Sequence, residues 1–529
     1  MQRFVLCYVV ACMFLRLHVV IAQESDVPKD IKAAARIELS GLQSKVVRVL
    51  SGDDTSSGSI VSPRGLVLTV AHGIQPARGP VRIQTTDGKI HTSTLLIHNT
   101  VGDVAVLRIE EDLPQTWPFI ELALDESVQK DQVALALGFP GRTPNERSPT
   151  VRIGRIIAAE RDVIRTSCTL TVGDSGGPLL NSSGRLIGIH RQIGLGAESN
   201  LHAALVIAKP ELKKAGWQSN PAPATASLVD VDQLQATPNV VNVLRSRTID
   251  VRSEGSTNKS IRGTVVAPDV VVTKLSELPD AECFDCTSLD GQARQGRIQK
   301  TDRALDLAVI RLSSPIPLNI STISTTPKLQ EGLLVFAAGE NPLPTCGVVS
   351  FVNHQEPSLS GRLGARFTSD SGRSVNVAEV LPNGTAALAG FAVGDELVSV
   401  EGQEVRVLDE IAAALKEYQP GDRIQMNLKR GASDAMPFLV RLQHDVGERF
   451  TKMEFLDGRS GELSERRSGF ASVAQHDISV RPNDCGGPLC DSTGGVIGIT
   501  IARRSREASL AIPIEQVLAT VEQLSQQKQ

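Results

Sequence analysis

The chain of 529 residues carries the same short glycine-rich turn twice, with a different central residue in the second version. The first turn is Gly173-Asp174-Ser175-Gly176-Gly177-Pro178, and the second is Asn483-Asp484-Cys485-Gly486-Gly487-Pro488. In such a turn, backbone N–H groups can converge on one point beside a hydroxyl or thiol nucleophile. The duplication therefore predicts two related folding units, each built around one of these turns.

The repeat extends upstream of the turns. Asp87-Gly88 matches Asp290-Gly291, and Asp103 to Arg108 matches Asp306 to Arg311 in the same register, without a gap. Between this aspartate and the nucleophile position, the second copy has about 100 additional residues, which is the size of one small domain. The second copy is therefore predicted to contain an inserted domain.

The first copy contains the partners that a serine nucleophile needs. A serine hydroxyl needs a base at neutral pH, and a carboxylate commonly orients that base. His72 ends a strand-turn-strand pattern, and Asp103 precedes the apolar strand pattern 104–107. We therefore interpret His72 as the candidate general base, Asp103 as its orienting group and Ser175 as the candidate nucleophile.

These motifs resemble those of trypsin-fold serine proteases, and their surroundings resemble the bacterial HtrA (DegP-like) family most. The resemblance is carried by Gly-x-Val-Leu-Thr-x-x-His ending at His72, Asp-x-Ala-Val-Leu from Asp103, Gly138-Phe139-Pro140-Gly141, and Gly184-Arg185-Leu186-Ile187-Gly188-Ile189. It implies a mainly β fold with two trypsin-like double β-barrel domains, and a serine endopeptidase activity. A catalytically idle barrel is the alternative.

The resemblance also assigns supporting residues. It implies that the N–H groups of Gly173 and Ser175 form the oxyanion hole, and that Thr169 lies at the base of the primary specificity pocket. Because Thr169 is not a carboxylate, cleavage after Arg or Lys is not expected, and small or medium apolar residues are the better expectation.

The sequence departs from the HtrA pattern around the nucleophile. Asp174 stands where HtrA proteases usually have Asn, and Thr171-Val172 replaces the usual Asn-Pro. In trypsin, the aspartate at this position pairs with a new N-terminus, but no Ile-Val-Gly-Gly activation site is visible near the expected mature N-terminus. The sequence leaves open how this turn is held.

The second copy lacks the same set of groups. The repeat aligns Ser276 with His72, and Asn483 replaces the first glycine of the turn. We interpret this copy as a degenerate, pseudo-protease scaffold. The alternative is that Cys485 acts as a thiolate nucleophile, because Cys ionises more easily than Ser.

The inserted segment resembles the PDZ domains of HtrA proteases in Arg362-Leu363-Gly364-Ala365 and in the run 377–395. The resemblance implies an α+β PDZ domain in which Leu363, Gly364 and Ala365 hold the carboxylate of a C-terminal peptide that adds as a strand. The helix beside the groove is expected at 409–415, with Ile411 and Leu415 facing inward. The alternative is a PDZ-like spacer whose groove is covered by its host domain.

The chain's N-terminus indicates export. Arg3 precedes an apolar stretch from Phe4 to Leu15, whose weaker continuation is broken by Arg16 and His18. The small residues at Val20 and Ala22 then predict a cleavable signal peptide with cleavage after Ala22. The alternative, an uncleaved anchor, needs a longer apolar run of roughly 20 residues. The predicted domains are a signal peptide at 1–22, an active trypsin-like domain at 23–217, a linker at 218–235, a PDZ domain at 358–443, and a degenerate trypsin-like domain at 236–357 and 444–529.

Composition limits the partners. The net charge of −4 gives no basic surface for nucleic acid, so nucleic acid is not an expected partner. Cys283 and Cys286 are spaced as a local disulfide or two idle thiols, and no second pair accompanies them as a metal site would require. No metal or cofactor is expected. The pairing of the remaining cysteines is left open: Cys168, Cys346, Cys485 and Cys490.

The sequence therefore predicts a periplasmic or secreted HtrA-like endopeptidase that degrades unfolded or damaged proteins. The PDZ domain and the second copy would capture substrate or regulate cleavage, and the resemblance allows a homo-oligomer. Two alternatives remain: a proteolytically inactive chaperone or adaptor that binds C-termini, and a narrow regulatory protease triggered by one specific C-terminus.

Overall fold

The structure of the protein is a computed structural model. It describes residues 34–526, except for 111–115, 142–147, 195, 197–198, 220–227, 230, 256–259, 289–290, 319–322, 324–327, 340–343, 371–373, 383 and 445–460. The predicted signal peptide and most of the Pro-bearing part of the predicted linker lie outside the described residues.

The first copy consists of two six-stranded barrels. The strands of the first barrel are β1 (Val46–Ser51), β2 (Asp54–Ile60), β3 (Leu66–Thr69), β4 (Arg82–Gln84), β5 (Ile90–Asn99) and β6 (Val104–Ile109). It closes in the order β1-β2-β3-β6-β5-β4, around a core that includes Val47, Ile60 and Leu107. β3 is buried along its whole length, which explains its continuous apolar sequence.

The second barrel holds the nucleophile turn between two of its strands. Its strands are β7 (Val133–Gly138), β8 (Thr150–Ala159), β9 (Val163–Thr166), β10 (Pro178–Asn181), β11 (Leu186–Gln192) and β12 (Asn200–Ala204), closed in the order β7-β8-β9-β12-β11-β10. Two helices flank the first copy, α1 (Ser40–Gln43) and α2 (Leu205–Lys214). The turn at 173–177 leads directly into β10, so it sits at one end of this barrel.

The second copy repeats this arrangement strand for strand. The third barrel has β13 (Thr248–Ser253), β14 (Ile261–Ala267), β15 (Val270–Lys274), β16 (Cys283–Ser288), β17 (Ala293–Asp302) and β18 (Leu307–Leu312), in the order β13-β14-β15-β18-β17-β16. Helix α3 (Pro238–Arg247) precedes it, capped by the Thr237 side chain. This order is that of the first barrel, as the sequence repeat predicts.

The fourth barrel is interrupted in sequence. Before the interruption it has β19 (Leu334–Ala337) and β20 (Thr345–Glu356). A six-stranded sheet follows, with β21 (Ala365–Asp370), β22 (Ser374–Val380), β23 (Glu396–Val400), β24 (Gln403–Glu404), β25 (Arg423–Lys429) and β26 (Met436–Arg441), together with helices α4 (Thr385–Ala389) and α5 (Leu408–Leu415). The backbone of Arg362 pairs with that of Gln443, which closes the inserted unit at its base.

The chain then completes the fourth barrel. Its remaining strands are β27 (Phe470–His476), β28 (Pro488–Asp491), β29 (Val496–Arg503) and β30 (Ser509–Pro513), followed by helix α6 (Ile514–Gln526). The order β19-β20-β27-β30-β29-β28 is that of the second barrel. The predicted fold class, two trypsin-like double barrels with an α+β PDZ domain inserted into the second, is confirmed.

The two copies pack directly against each other through β8 and β20. The Ser350 hydroxyl donates to the carbonyl of Val151 at 2.7 Å. The Asp477 carboxylate accepts the N–H of Ile153 in the first copy at 2.6 Å and the N–H of Val348 in the second at 2.7 Å. One buried carboxylate therefore joins the backbones of both copies.

Three features of the described residues bear on the sequence analysis. The six described cysteines are free, so the alternative of a local disulfide between Cys283 and Cys286 is not realised. Among the described residues, no helix combines the length and apolar character needed to cross a bilayer. Nor do the described His, Cys, Asp and Glu side chains form a group of three or more suited to a metal ion.

The carboxylate between the copies predicts a pH effect on stability. Burial raises the pKa of Asp477 to about 6, although its two backbone hydrogen bonds oppose the shift. In the unfolded chain this pKa is about 3.9, so the native state binds the proton more tightly and the contribution of Asp477 to stability falls as pH rises from about 4 to 6. We expect Asp477→Asn to gain about 2 kcal/mol relative to wild type between pH 4.5 and 7.5.

The measurement is thermal unfolding of wild type and Asp477→Asn at both pH values. The exposed Asp125 provides the control, because Asp125→Asn also removes one carboxylate. An equal stability difference between wild type and Asp477→Asn at pH 4.5 and pH 7.5 would contradict the prediction.

Candidate active site

The pairing of β3 with β6 brings the candidate base and its carboxylate together. Thr69 in β3 lies opposite Ala105 in β6, so the residues that follow β3 lie beside the residue that precedes the apolar part of β6. His72 Nδ1 is 2.9 Å from Oδ2 and 3.0 Å from Oδ1 of Asp103. The backbone N–H of His72 also donates to Asp103 Oδ1 at 3.0 Å. With Nδ1–H directed at the carboxylate, Nε2 is the ring nitrogen available as a base.

The backbone at Asp103 explains this geometry. Asp103 has a φ of 55°, a left-handed conformation that a short polar side chain tolerates when it can hydrogen-bond locally. The side chain is 12% exposed, whereas that of His72 is 49% exposed. The carboxylate is therefore held under the imidazole, and the imidazole faces the cleft.

The charge on Asp103 is stabilised by its neighbours. Burial acts to raise its pKa, but hydrogen bonds from His72 and the nearby Arg191 guanidinium outweigh burial and lower it. Arg191 Nε lies 3.5 Å from Asp103 Oδ2, and its side chain is 35% exposed. Asp103 therefore stays ionised at neutral pH. Sequence reasoning missed Arg191, because nothing marks it before β11 is seen to pass beside Asp103.

The serine turn is locked against the first barrel. Ser57 in β2 donates its N–H to the carbonyl of Ser175 at 2.8 Å, and Gly176 donates its N–H to the carbonyl of His190 at 2.8 Å. Gly176 has a φ of +84°, and a Cβ there would overlap Ser57 O and Thr69 Oγ1. Only glycine permits this approach, which holds Ser175 against the strand pair that carries His72.

The predicted oxyanion-hole donors are free. Gly173 adopts a φ of +101°, and its carbonyl is turned away to accept the Ser57 hydroxyl at 2.8 Å. Ser57 Oγ in turn accepts the N–H of Phe139 at 2.9 Å. Within the described part of the chain, the N–H groups of Gly173 and Ser175 have no acceptor. Ser57 is a second functional neighbour that sequence reasoning missed.

The structure shows no hydrogen bond between the candidate nucleophile and the candidate base among the described residues. Ser175 is half-buried, and among the described residues its hydroxyl makes no hydrogen bond to His72. In enzymes without bound substrate, such hydrogen bonds are often long and tighten only in the substrate complex. The structure thus joins His72 to Asp103 and holds the Ser175 turn beside them.

Thr169 lies in a different environment from the three residues above. It is 9% exposed and lines a cavity of about 310 Å³. The other lining residues include Gly154 and Ser167 of the first copy, and Cys346 and Asp477 of the second. Its role at the base of a specificity pocket stays a prediction.

In the second copy, the place of the base is filled by groups that do not accept a proton. The N–H of Ser276 donates to Asp306 Oδ1 at 2.8 Å, as the N–H of His72 does to Asp103. Asp306 has a φ of 57°, close to the 55° of Asp103. The Ser276 hydroxyl donates to Asp306 Oδ2 at 2.8 Å, and the fully buried Lys274 Nζ lies 2.7 Å from the same oxygen. The backbone geometry of the first copy is retained, but the carboxylate is hydrogen-bonded by a hydroxyl and paired with an ammonium ion instead of orienting an imidazole.

The second turn has lost the free N–H of its nucleophile residue. Asn483 lies in a 3₁₀ turn, Pro482–Asp484, and is not among the described residues with positive φ. Cys485 therefore donates its N–H to the carbonyl of Pro482 at 3.1 Å. The change from Gly173 to Asn483 thus coincides with a turn that consumes the donor an oxyanion would need.

Cys485 is also covered. Ser464 Oγ lies 3.6 Å from its sulfur, and Ser464 exchanges two hydrogen bonds with the backbone of Arg503, at 3.1 and 2.9 Å. Arg466, two residues further along, accepts a hydrogen bond from Lys274 Nζ through its carbonyl at 2.8 Å. The chain's own segment 464–466 therefore lies over the second turn. Burial raises the pKa of the Cys485 thiol to about 12.

The PDZ unit has an open groove between β21 and α5. β21 pairs only with β22 and forms one edge of the sheet, so its other edge is available to a further strand. A cavity of about 360 Å³ is lined by Ser360, Gly361, Arg362, Leu363, Ala365, Phe367, Leu408, Ile411, Ala412, Leu415 and Lys416. All of these residues belong to the inserted unit, so no described residue of the host barrel lines the groove.

The loop at the end of this groove has free donors. Gly364 has a φ of +67°, and the carbonyls of Leu363 and Gly364 are engaged inside the domain by the N–H groups of Ala386 and Leu381, both at 2.8 Å. The N–H groups of Leu363 and Gly364 have no acceptor within the described residues. Such a loop suits a carboxylate.

Comparisons with known proteins agree with this geometry. Residues 56–189 match the family model of the trypsin-like peptidase domain, and residues 361–436 match that of the PDZ domain. The chain is 25% identical over 391 residues to a probable periplasmic serine endoprotease, DegP-like, from Halomonas elongata, covering 69% of this chain and 74% of that protein. The chain is an HtrA-like serine protease with a PDZ domain.

Other relatives of this HtrA-like protease match smaller or more divergent parts. It is 32% identical over 156 residues to the putative serine protease HhoB from Synechocystis sp., covering 27% of this chain and 36% of that protein. The crystal structure of the serine endoprotease from Yersinia pestis covers 76% of this chain and 95% of its own at 17% identity, with a TM-score of 0.31.

The second turn of the HtrA-like protease predicts an unreactive thiol. We expect iodoacetamide at pH 7.5 to leave Cys485 unmodified in the native protein, because the thiolate is the reactive form and burial disfavours it. The half-buried Cys283 is the internal control and should react faster than Cys485. Peptide mapping after timed labelling, native and in denaturant, is the measurement. Modification of native Cys485 as fast as a model thiol would contradict this account.

Proposed function

We propose that the first copy is the proteolytic half of the molecule and that it hydrolyses peptide bonds in unfolded or damaged proteins, with His72, Asp103 and Ser175 as its catalytic triad. The proposal rests on one observation above all: His72 is hydrogen-bonded to a buried, ionised Asp103 next to a serine turn whose two N–H donors are free.

The mechanism follows from these positions. His72 Nε2 takes the proton of the Ser175 hydroxyl as Oγ attacks the substrate carbonyl, and Asp103 holds the imidazole in the required tautomer. The N–H groups of Gly173 and Ser175 stabilise the oxyanion that forms. His72 then gives its proton to the leaving amine, and a water molecule, activated by the same nitrogen, hydrolyses the acyl-enzyme.

We further propose a preference for small or medium apolar residues before the scissile bond. The support is the uncharged Thr169 at the position that the trypsin resemblance assigns to the base of the pocket. A cleavage profile dominated by Arg or Lys would count against this proposal.

The second copy would then act as a catalytically idle scaffold. The absence of a histidine at Ser276, the donor consumed at Cys485 and the covering segment 464–466 all support this role. Since β8 and β20 pack together, the second copy is placed to stabilise the first.

The PDZ domain would capture the C-termini of substrates. Its open groove and the two free N–H groups at Leu363 and Gly364 support this role. The DegP-like relatives are named as probable periplasmic serine endoproteases, which supports secretion through the predicted signal peptide at 1–22.

The triad predicts a sharp mutational pattern. We expect Ser175→Ala and His72→Ala to lower the cleavage rate of fluorescein-labelled casein by about 10⁴-fold or more, and Asp103→Asn by a similar factor through the wrong imidazole tautomer. Cys485→Ala is the matched control in the second copy and should cleave at the wild-type rate. Wild-type activity in Ser175→Ala would overturn the assignment, whereas inactivity of every form, wild type included, would favour the chaperone or adaptor alternative.

The groove predicts a separate binding result. Leu415 lines the groove, and Leu415→Asp should weaken a fluorescent peptide ending in Val-Val with a free carboxylate by at least about tenfold, because a charge would lie in the apolar pocket. The exposed Leu439 on β26, outside the groove, gives the control Leu439→Asp. Fluorescence anisotropy would measure both. Equal binding of the same peptide with an amidated C-terminus would contradict carboxylate capture.

A further inference from the structure

A buried ion pair lies directly beneath the serine turn. Arg152 Nη1 in β8 is 3.0 Å from Asp174 Oδ1, and each side chain is 1% exposed. Asp174 lies between Gly173 and Ser175 in sequence, so its orientation helps to set the direction of both N–H donors. Asp174 therefore links the ion pair to the proposed oxyanion hole, because its backbone joins the two residues that supply the N–H donors.

The carboxylate is fixed on its other sides as well. Asp174 Oδ2 accepts the N–H of Thr171 at 2.8 Å. A Cβ on Gly138 at the end of β7 would overlap Asp174 Oδ1, so the strand leaves room for this carboxylate only because it has glycine there. Asp174 therefore points into the second barrel, away from the cleft.

A carboxylate in this position needs a counter-charge. Burial raises the pKa of Asp174, and the Arg152 guanidinium is the largest influence acting in the opposite direction. An unpaired buried charge costs several kcal/mol, so removal of the arginine would favour protonation of Asp174 or its escape towards water. Either event would disturb the turn.

The second copy offers an internal comparison. There, Asp484 is paired with Arg481 of its own turn, at 3.0 Å, and Arg262 Nε lies 3.9 Å away. Arg481 is 45% exposed. With its aspartate held by the turn itself, this copy has a 3₁₀ turn and a Cys485 N–H that is already bonded. In the first copy, where the cation comes from a barrel strand, the equivalent donors are free.

We propose that Arg152 is a positioning residue for the oxyanion turn. Its guanidinium, by pairing with Asp174, takes the place of the N-terminal ammonium ion that the trypsin resemblance would require. The first copy then needs no cleavage at its N-terminus to form the oxyanion hole. This inference rests on the proposed function, and it identifies the Arg152–Asp174 ion pair as the interaction that keeps that site assembled.

The second copy contacts the barrel that carries Arg152. Ile153, next to Arg152, donates its N–H to Asp477 of the second copy, and Arg506 of the second copy donates to the carbonyls of Gly194 and Gly196 and, at 3.2 Å, to Asn200 Oδ1. Both contacts reach segments of the second barrel, on β8 and on the loop that precedes β12. The idle copy therefore packs directly against the strand that carries Arg152.

The test is a double-mutant cycle on Arg152 and Asp174. In Arg152→Met we expect kcat for a fluorogenic peptide cleaved by wild type to fall at least about 100-fold, with KM within about threefold, because oxyanion stabilisation and not binding is lost. Arg152→Met with Asp174→Asn should recover to within about tenfold of wild type, because the carboxylate that Arg152 pairs with in the serine turn is then uncharged. Arg155→Met, on the same strand, is the control and should keep wild-type kcat.

A crystal structure of Arg152→Met gives a readout that does not depend on activity. We expect the Ser175 N–H to turn onto a carbonyl of its own turn, as the Cys485 N–H does. Wild-type kcat in Arg152→Met, an unchanged turn in its structure, or a folded double variant no more active than Arg152→Met would overturn the proposal. If Arg152→Met does not fold, the double variant decides: a folded double variant within about tenfold of wild-type kcat supports the proposal, and one that has lost about 100-fold or more overturns it. Wild type as inactive as Ser175→Ala would instead count against the proposed function.

Discussion

The close approach of a glycine turn to the neighbouring barrel is the constraint on which each half of this molecule depends. At Gly176, a Cβ would overlap Ser57 O and Thr69 Oγ1, and at Gly486 it would overlap Arg262 O and come within 2.7 Å of Thr273 Oγ1. The two threonines make the same hydrogen bond to the strand opposite, at 2.7 and 2.6 Å. Both copies therefore bring a nucleophile turn from one barrel to the strand pair of the other.

On this shared frame, a few substitutions separate a site that can react from one that cannot. His72 is replaced by Ser276, and the buried Lys274 neutralises the carboxylate that would have oriented a base. Gly173 is replaced by Asn483, whose turn uses the N–H of Cys485 internally. The fold therefore tolerates substitutions that the chemistry does not. The backbone hydrogen bonds that position the turn are present in both copies, but the N–H of the nucleophile residue is free only in the first.

Much of this architecture is predictable from the sequence because it is local or repeated. The two turns, the matched aspartates and the extra segment predict a repeated unit with an insertion, and the resemblance to HtrA proteases implies the double barrels and the PDZ domain. The aspartate before each buried strand adopts the same left-handed φ, 55° at Asp103 and 57° at Asp306. The proximity of His72 and Asp103 follows from strand order, since β3 pairs with β6.

The remaining features depend on contacts between distant parts of the chain. Arg152, Arg191 and Ser57 bear on the serine site only because β8, β11 and β2 pass beside it, and no local pattern distinguishes them from other residues of their types. The segment that covers Cys485 likewise lies about twenty residues before it, in a stretch without strand or helix periodicity. Sequence reasoning therefore identified the candidate reacting groups and missed the residues that hold or block them.

The central claim is that one of the two copies has an assembled serine site. Intact-mass analysis after treatment with a fluorophosphonate, which bonds phosphorus to an activated serine oxygen and releases fluoride, tests it most directly. The account predicts one adduct per chain, on the peptide that contains Ser175, retained in Cys485→Ala and lost in Ser175→Ala. No adduct on wild type, or an adduct that persists in Ser175→Ala, would contradict it.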